Sequence, residues 1–170
     1  MLQNSLYQKD LQKVIENYPD WEKLSGKSLL MIGASGMIGS FFVDVLMLAN
    51  QQKRTSVNVY AMGRNRRRLE RYFADYLLAR KFQIIEGDVT TPLPKELKAD
   101  YLIHGASNTH PKAYAKDPIG TIMTNLMGTE QVLKHAAATS AERTLFLSTV
   151  EIYGENRGDT EYFDEAYCGY

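Results

Sequence analysis

Cysteine is nearly absent from this chain: Cys168 is the only one in 170 residues, so no intramolecular disulfide can staple the fold. That usage fits a reducing compartment, and the cytoplasm is the expected location. Net charge is lacking too, because twenty Lys and Arg balance twenty Asp and Glu. No overall field draws such a chain to nucleic acid or to an anionic membrane, and neither is expected as a partner. The three histidines, His104, His110 and His135, have no His or Cys at ligand-like spacing, so no metal is expected. Long apolar runs are missing as well. The most apolar stretch, 29–49, is broken by three glycines, two serines and Asp44, which argues against a membrane span. The first residues lack the basic-then-apolar layout of a secretory signal. What is present is 44% hydrophobic content in a chain of single-domain length, enough to bury one core.

Leu6, Leu11, Val14, Ile15 and Tyr18 recur at helical spacing. They predict an amphipathic helix over 4–18 that stops before Pro19, within an N-terminal extension spanning 1–25. From residue 26 to residue 170 apolar runs and helical patterns alternate. The predicted order is strand 28–33, helix 37–49, strand 57–62, helix 65–79, strand 82–86, strand 100–105, helix 118–138 and strand 143–148. Such an order predicts an α/β fold with a doubly wound parallel sheet. Asp117-Pro118 suits a helix start, with Asp117 as N-cap and Pro118 in the first turn.

The most informative segment is Leu29-Leu30-Met31-Ile32-Gly33-Ala34-Ser35-Gly36-Met37-Ile38-Gly39, where an apolar strand breaks into three evenly spaced glycines and enters a helix. Gly33 permits a sharp turn, Gly36 lets backbone approach a pyrophosphate, and Gly39 lets the helix pack on the sheet. The helix start then offers free N–H groups and a positive dipole end to phosphates. Gly33, Ser35, Gly36, Met37, Ile38 and Gly39 are therefore candidate cofactor-binding residues of a Rossmann-type fold.

The spacing G-x-x-G-x-x-G resembles the short-chain dehydrogenase/reductase superfamily. Further motifs over 26–170 resemble its extended branch, the NAD-dependent epimerase/dehydratase family acting on nucleotide sugars. Gly87-Asp88-Val89 matches the position where the family's Asp accepts from the adenine amino group; the plainer alternative is a loop carboxylate capping a turn. Gly105-Ala106-Ser107, after a His104 expected to be buried, matches the backbone that lies against a cofactor ribose. Asn125-Leu126-Met127-Gly128-Thr129 looks like N-x-x-G-T, with Asn125 supporting the site, or else Gly128 merely allows close helix packing. Leu147-Ser148-Thr149-Val150-Glu151-Ile152-Tyr153-Gly154 is the strongest of these signals. The resemblance implies that Thr149 holds a substrate hydroxyl. Glu151 is retained while Val150 departs from the Asp-Glu pair of the dehydratases, which is closer to decarboxylases or a related epimerase. Thr149 and Glu151 are the candidate catalytic residues.

Cofactor choice turns on Gly63-Arg64-Asn65. An NAD-selective member usually carries an Asp near 63; here Gly63 leaves room and Arg64, with Arg66, Arg67 and Arg68, supplies cations for a 2′-phosphate. The cofactor is therefore expected to be NAD or NADP. The family also uses Tyr and, four residues on, a Lys that lowers the tyrosine's pKa. None of the eleven tyrosines has Lys at that offset. In relatives the acidic stretch resembling Phe163-Asp164-Glu165 precedes that pair, so the resemblance implies that the chain stops short of it and lacks the substrate domain. Two expectations follow: the cofactor half of a homodimeric nucleotide-sugar epimerase, dehydratase or decarboxylase, inactive alone; or a non-catalytic dinucleotide-binding or sensor module.

Overall fold

β1 (Ser28–Ile32) is an apolar strand buried on both faces, and this fixes its place at the centre of the sheet. The computed structural model describes residues 4–108 and 111–167. Readings that rest on His110, Cys168 and Tyr170 lie outside the described residues. Around β1 stand β2 (Asn58–Gly63), β3 (Phe82–Glu86), β4 (Tyr101–His104) and β5 (Arg143–Phe146), in the order β3-β2-β1-β4-β5. All four pairings are parallel. The expected doubly wound parallel sheet is the observed one. Its direction of growth reverses between β1 and β4, the point at which open sheets of this kind form a crevice at the carboxyl ends of their strands.

Alternation along β1 splits the core in two. Leu29 and Met31 face α1 (Ser5–Asn17), α2 (Met37–Gln52) and α3 (Arg66–Tyr72), whose Leu11, Ile15, Val43, Leu46 and Leu69 join the same buried cluster. Leu30 and Ile32 point the other way, toward Val132 of α5 (Pro118–Thr139) and toward Leu93 and Leu97 of the β3–β4 connection. That connection, which contains Pro92 and Pro94, is irregular, and His135 Nε2 ties it down with a 2.7 Å contact to the Leu97 carbonyl. Asp117 caps α5 through the Gly120 N–H at 2.9 Å, with Pro118 in the first turn.

Two expected elements end two or more residues early. α3 ends at Tyr72, well before 79, because Phe73 and Tyr76 turn inward onto Phe82, with ring centroids 5.4 and 5.7 Å away. A 3₁₀ turn, Ala74–Tyr76, carries that change of direction. β5 stops at Phe146 instead of 148, since Thr149 already caps the 3₁₀ helix Val150–Tyr153. A short helix unforeseen from the sequence, α4 (Pro111–Lys116), precedes α5.

The N-terminal helix shares the main core. Asn4 caps it through the Leu6 and Tyr7 N–H groups, and Leu11 and Ile15 are wholly buried, each contributing roughly 1.5–3 kcal/mol of apolar transfer. Trp21 donates its indole N–H to the Ile15 carbonyl at 2.9 Å. A polar latch adds to this. Asp44 of α2, only 4% exposed, accepts 2.6 Å from the Tyr7 hydroxyl and also bonds the Tyr76 hydroxyl. Burial lifts the Asp44 carboxyl above its ordinary value, although the two hydroxyls pull the other way. The folded chain thus holds this proton to higher pH than the unfolded chain. Its stabilising contribution is full below the unfolded pKa and is lost as pH rises through the raised folded value.

Replacing Asp44 should separate charge from hydrogen bonding. Asp44→Asn is expected to stay within about 1 kcal/mol of wild type at pH 7 and to remove this part of the pH dependence. Asp44→Ala, which strands two tyrosine hydroxyls, should cost about 2–4 kcal/mol. Urea unfolding from pH 4 to 8 reads both; equal losses for the two variants would mean that Asp44 acts through its carboxylate charge and not through hydrogen bonds that an amide can replace.

Candidate functional site

Gly33, the first residue after β1, has φ +87°, a backbone conformation that favours glycine. A Cβ there would stand 2.7 Å from the Gly105 carbonyl oxygen and 2.9 Å from the Ala106 nitrogen. The turn after β1 and the loop after β4 are thus in backbone contact. Gly39, one turn into α2, is equally crowded, with its Cβ position 2.5 Å from the Gly33 oxygen. Two of the three glycines are required by the protein's own packing.

Gly36 differs. Its φ is −76°, it is exposed, and its Cβ position meets only the Gly33 oxygen, at 3.2 Å. The protein itself leaves space beside this residue, as a cradle for a close-approaching group would. Gly36 is the N-cap of α2 without a side-chain cap, so the N–H groups of Met37, Ile38 and Gly39 start the helix with no intrahelical acceptor. Met37 and Ile38 are 85% and 57% exposed, unusual for apolar residues at a helix start. These residues fit an anion such as a pyrophosphate.

The remaining predicted residues lie at the carboxyl ends of the neighbouring strands. Gly105 and Ala106 are packed on Gly33, and Ser107 follows them, exposed. Val89 is buried against α5, where a Cβ on Gly128 would stand 2.9 Å from its Cγ1. The close-packing role of Gly128 is therefore real, and Asn125, one turn earlier, is partly buried. Asp88 Oδ1 accepts from the Thr90 N–H at 2.9 Å and from the Thr90 hydroxyl at 2.8 Å, the turn-capping geometry. Those two bonds hold its carboxyl below the usual range, and the charge of Arg64, at the end of the adjacent strand, adds to the effect. His104 is 2% exposed, as expected for a buried strand-end histidine.

Arg68 is the residue whose contact the sequence did not disclose. Its Nη2 donates to the Ser35 carbonyl at 3.3 Å, so the basic start of α3 reaches across to the glycine turn. The guanidinium also lies 5.6 Å from the centroid of the Tyr72 ring. Arg66 pairs with Glu70 at 2.8 Å, whereas Arg64 is exposed at the end of β2. Thr149 and Glu151 follow β5; Thr149 Oγ1 accepts from the Glu151 N–H at 3.3 Å, and both residues are exposed. No group of three or more His, Cys, Asp or Glu among the described residues could hold a metal. No helix among them is long and apolar enough to cross a membrane.

With this geometry in view, the comparisons with known proteins are consistent. The sequence model of the NAD dependent epimerase/dehydratase family matches residues 29–168. The chain is 34% identical over 143 residues to UDP-glucuronic acid decarboxylase 1 of Danio rerio, covering 82% of this chain and 32% of that protein. It is 34% identical over 131 residues to UDP-glucuronic acid decarboxylase 6 of Arabidopsis thaliana, covering 77% and 36%. Among solved structures, a UDP-N-acetylglucosamine 4-epimerase from Methanobrevibacter ruminantium M1 superposes with TM-score 0.71 at 19% identity, over 86% of this chain and 44% of that one. A double mutant of DesIV, the dTDP-glucose 4,6-dehydratase of Streptomyces venezuelae with NAD and DAU bound, gives 0.68 at 26% identity, over 82% and 44%. The chain spans about a third of the length of the curated relatives it matches.

Arg64 and Arg68 should be separable by titration with NAD and NADP. Arg64→Ala is expected to weaken NADP by about 1–3 kcal/mol more than NAD, the size of a lost charge-assisted bond. Arg68→Ala should weaken both together, because it frees the Ser35 carbonyl that shapes the turn. The reverse pattern would exchange the two roles.

Proposed function

We propose, because the chain belongs to the NAD dependent epimerase/dehydratase family, that its residues form the cofactor-binding half of a nucleotide-sugar epimerase, dehydratase or decarboxylase. Residues 1–25 are then a helical extension, and 26–170 the NAD(P)-binding domain. The observation that carries this reading is the glycine turn. Gly33 and Gly39 are consumed by packing, while Gly36, exposed at a helix N-terminus, meets a single backbone atom, the Gly33 oxygen at 3.2 Å from its Cβ position. When bound, the dinucleotide supplies a reversible hydride acceptor for transient oxidation at the sugar C4.

The chain's own residues divide the work. N–H groups of Met37, Ile38 and Gly39 hold the pyrophosphate, Gly105, Ala106 and Ser107 present backbone to the ribose, and Asp88 and Val89 border the adenine. Asn125 supports the loop after β4 from α5. Thr149, whose hydroxyl both donates and accepts, orients the reacting oxygen, with the Glu151 carboxylate two residues on. Retention of Glu151 without an acid at Val150, together with the UDP-glucuronic acid decarboxylases among the relatives, favours decarboxylation of a nucleotide sugar acid over the other two outcomes. The exposed apolar row Ile119, Ile122, Met123 and Leu126 on α5 supports pairing of two copies.

A side chain at Gly36 would fill the pyrophosphate's space; the φ there suits any residue, and the one tight contact is the Gly33 oxygen 3.2 Å from the Cβ position. Gly36→Val should therefore keep its fold by circular dichroism yet show no calorimetric binding of NAD or NADP. Equal affinity of variant and wild type would remove the turn from the site.

Proton abstraction needs a base that this sequence does not supply at the family's Tyr-x-x-x-Lys spacing, and general base catalysis is typically worth about 10²–10⁴-fold. The purified 170-residue chain should thus show no turnover on a panel of UDP- and dTDP-sugars assayed by mass spectrometry. Turnover above any contaminant would reveal another base; dinucleotide binding by a longer native protein that also lacks turnover would favour the sensor reading.

A further inference from the structure

His104 ends β4, its backbone carbonyl accepting from the Leu147 N–H at 3.0 Å. Its imidazole is buried, lies edge-on to Phe146 at 5.3 Å between centroids, and faces α5 where Gly128 leaves it room. Nδ1 accepts from the Ala106 N–H at 3.4 Å, a long bond, and Nε2 has no hydrogen-bond partner among the described residues. A leucine would fill such a space without burying an unsatisfied nitrogen, so retaining a histidine calls for a use of Nδ1. The Gly105–Ala106 peptide that Nδ1 holds is the one against which Gly33 is packed, with Gly33's Cβ position 2.7 Å from the Gly105 oxygen.

We propose that His104 is a positioning residue: as an acceptor at Nδ1 it fixes the Gly105–Ala106 peptide against the glycine turn, and so sets how tightly the cleft holds a dinucleotide. This rests on the reading of the cleft as the dinucleotide site. The acceptor role requires the neutral ring with its proton on Nε2. Burial of the ring, which lowers its pKa, favours that neutral form. An Asn carboxamide at the same position places its Oδ1 the same number of bonds from the backbone as Nδ1, whereas Gln mimics Nε2 and Leu mimics neither.

The test uses His104→Asn, His104→Gln and His104→Leu in the 170-residue chain, with NAD affinity measured by calorimetry and thermal unfolding followed in parallel. The Asn variant should bind within about 2-fold of wild type, and Gln and Leu should bind about 3- to 10-fold more weakly, the worth of one neutral hydrogen bond, whichever way their melting temperatures move. Nitrogen-15 NMR of the wild-type imidazole should show Nδ1 bare and Nε2 protonated. Leu or Gln binding like wild type, Asn binding as weakly as Leu, or a proton on Nδ1 would each overturn the proposal. Wild type that fails to bind NAD would defeat the reading of the cleft and the affinity role with it. The imidazole spectrum distinguishes that failure from a wrong hydrogen bond at His104.

Discussion

No side chain fits between Gly33 and the Gly105–Ala106 peptide, and the architecture of the crevice depends on that contact. β1 and β4 run in register from Leu29 beside Tyr101 to Ile32 beside His104, and the two exits must then diverge within one residue. A positive φ at Gly33 sends the chain away toward α2, and the missing Cβ lets the β4 exit close behind it. The same requirement recurs at Gly39, where α2 comes down onto the turn. Once these contacts are made, the N-terminus of α2 stands where the sheet order reverses, and its first amides have no intrahelical acceptor and no side-chain cap from Gly36.

Two other interactions steady this arrangement from behind. The Tyr7–Asp44–Tyr76 bonds join α1, α2 and the turn after α3, so the helix that presents the amides is tied at its middle to both neighbours. Asn50 closes the α2–β2 connection, accepting from the Val57 N–H and donating to its carbonyl at 2.9 and 2.8 Å. Beside the turn, Arg68 holds the Ser35 carbonyl. The glycine turn is thus gripped on both sides. On the far side of the sheet α5 is less covered, with Ile119 and Leu126 exposed by 73% and 66%.

The strands and the glycine turn were legible in the sequence because backbone demands wrote them. Leu29 to Ile32 must be apolar to be buried on both faces, and Gly33 and Gly39 must lack a Cβ. Side-chain contacts were less legible. Arg64, with Arg66, Arg67 and Arg68, was read as a source of cations for a 2′-phosphate, but that the Arg68 guanidinium reaches the Ser35 carbonyl depends on the tertiary angle of α3. Asp88 was read as adenine-binding with turn capping as the alternative, and its Oδ1 is on Thr90. α3 was expected to run to 79; the packing of Phe73 and Tyr76 on Phe82 ends it at Tyr72. His104 was recognised as buried, but its bond to Ala106 depends on a ring orientation that no spacing encodes.

The central claim is that the turn after β1 and the loop after β4 form one dinucleotide site. Backbone amide NMR of the isotopically labelled chain, recorded as NAD is added, tests it most directly. The amides of Gly36 to Gly39 and of Gly105 to Ser107 should shift together along a single saturating curve, while those of α1 stay still. Shifts confined to one of the two segments, or centred elsewhere on the sheet, would contradict the account.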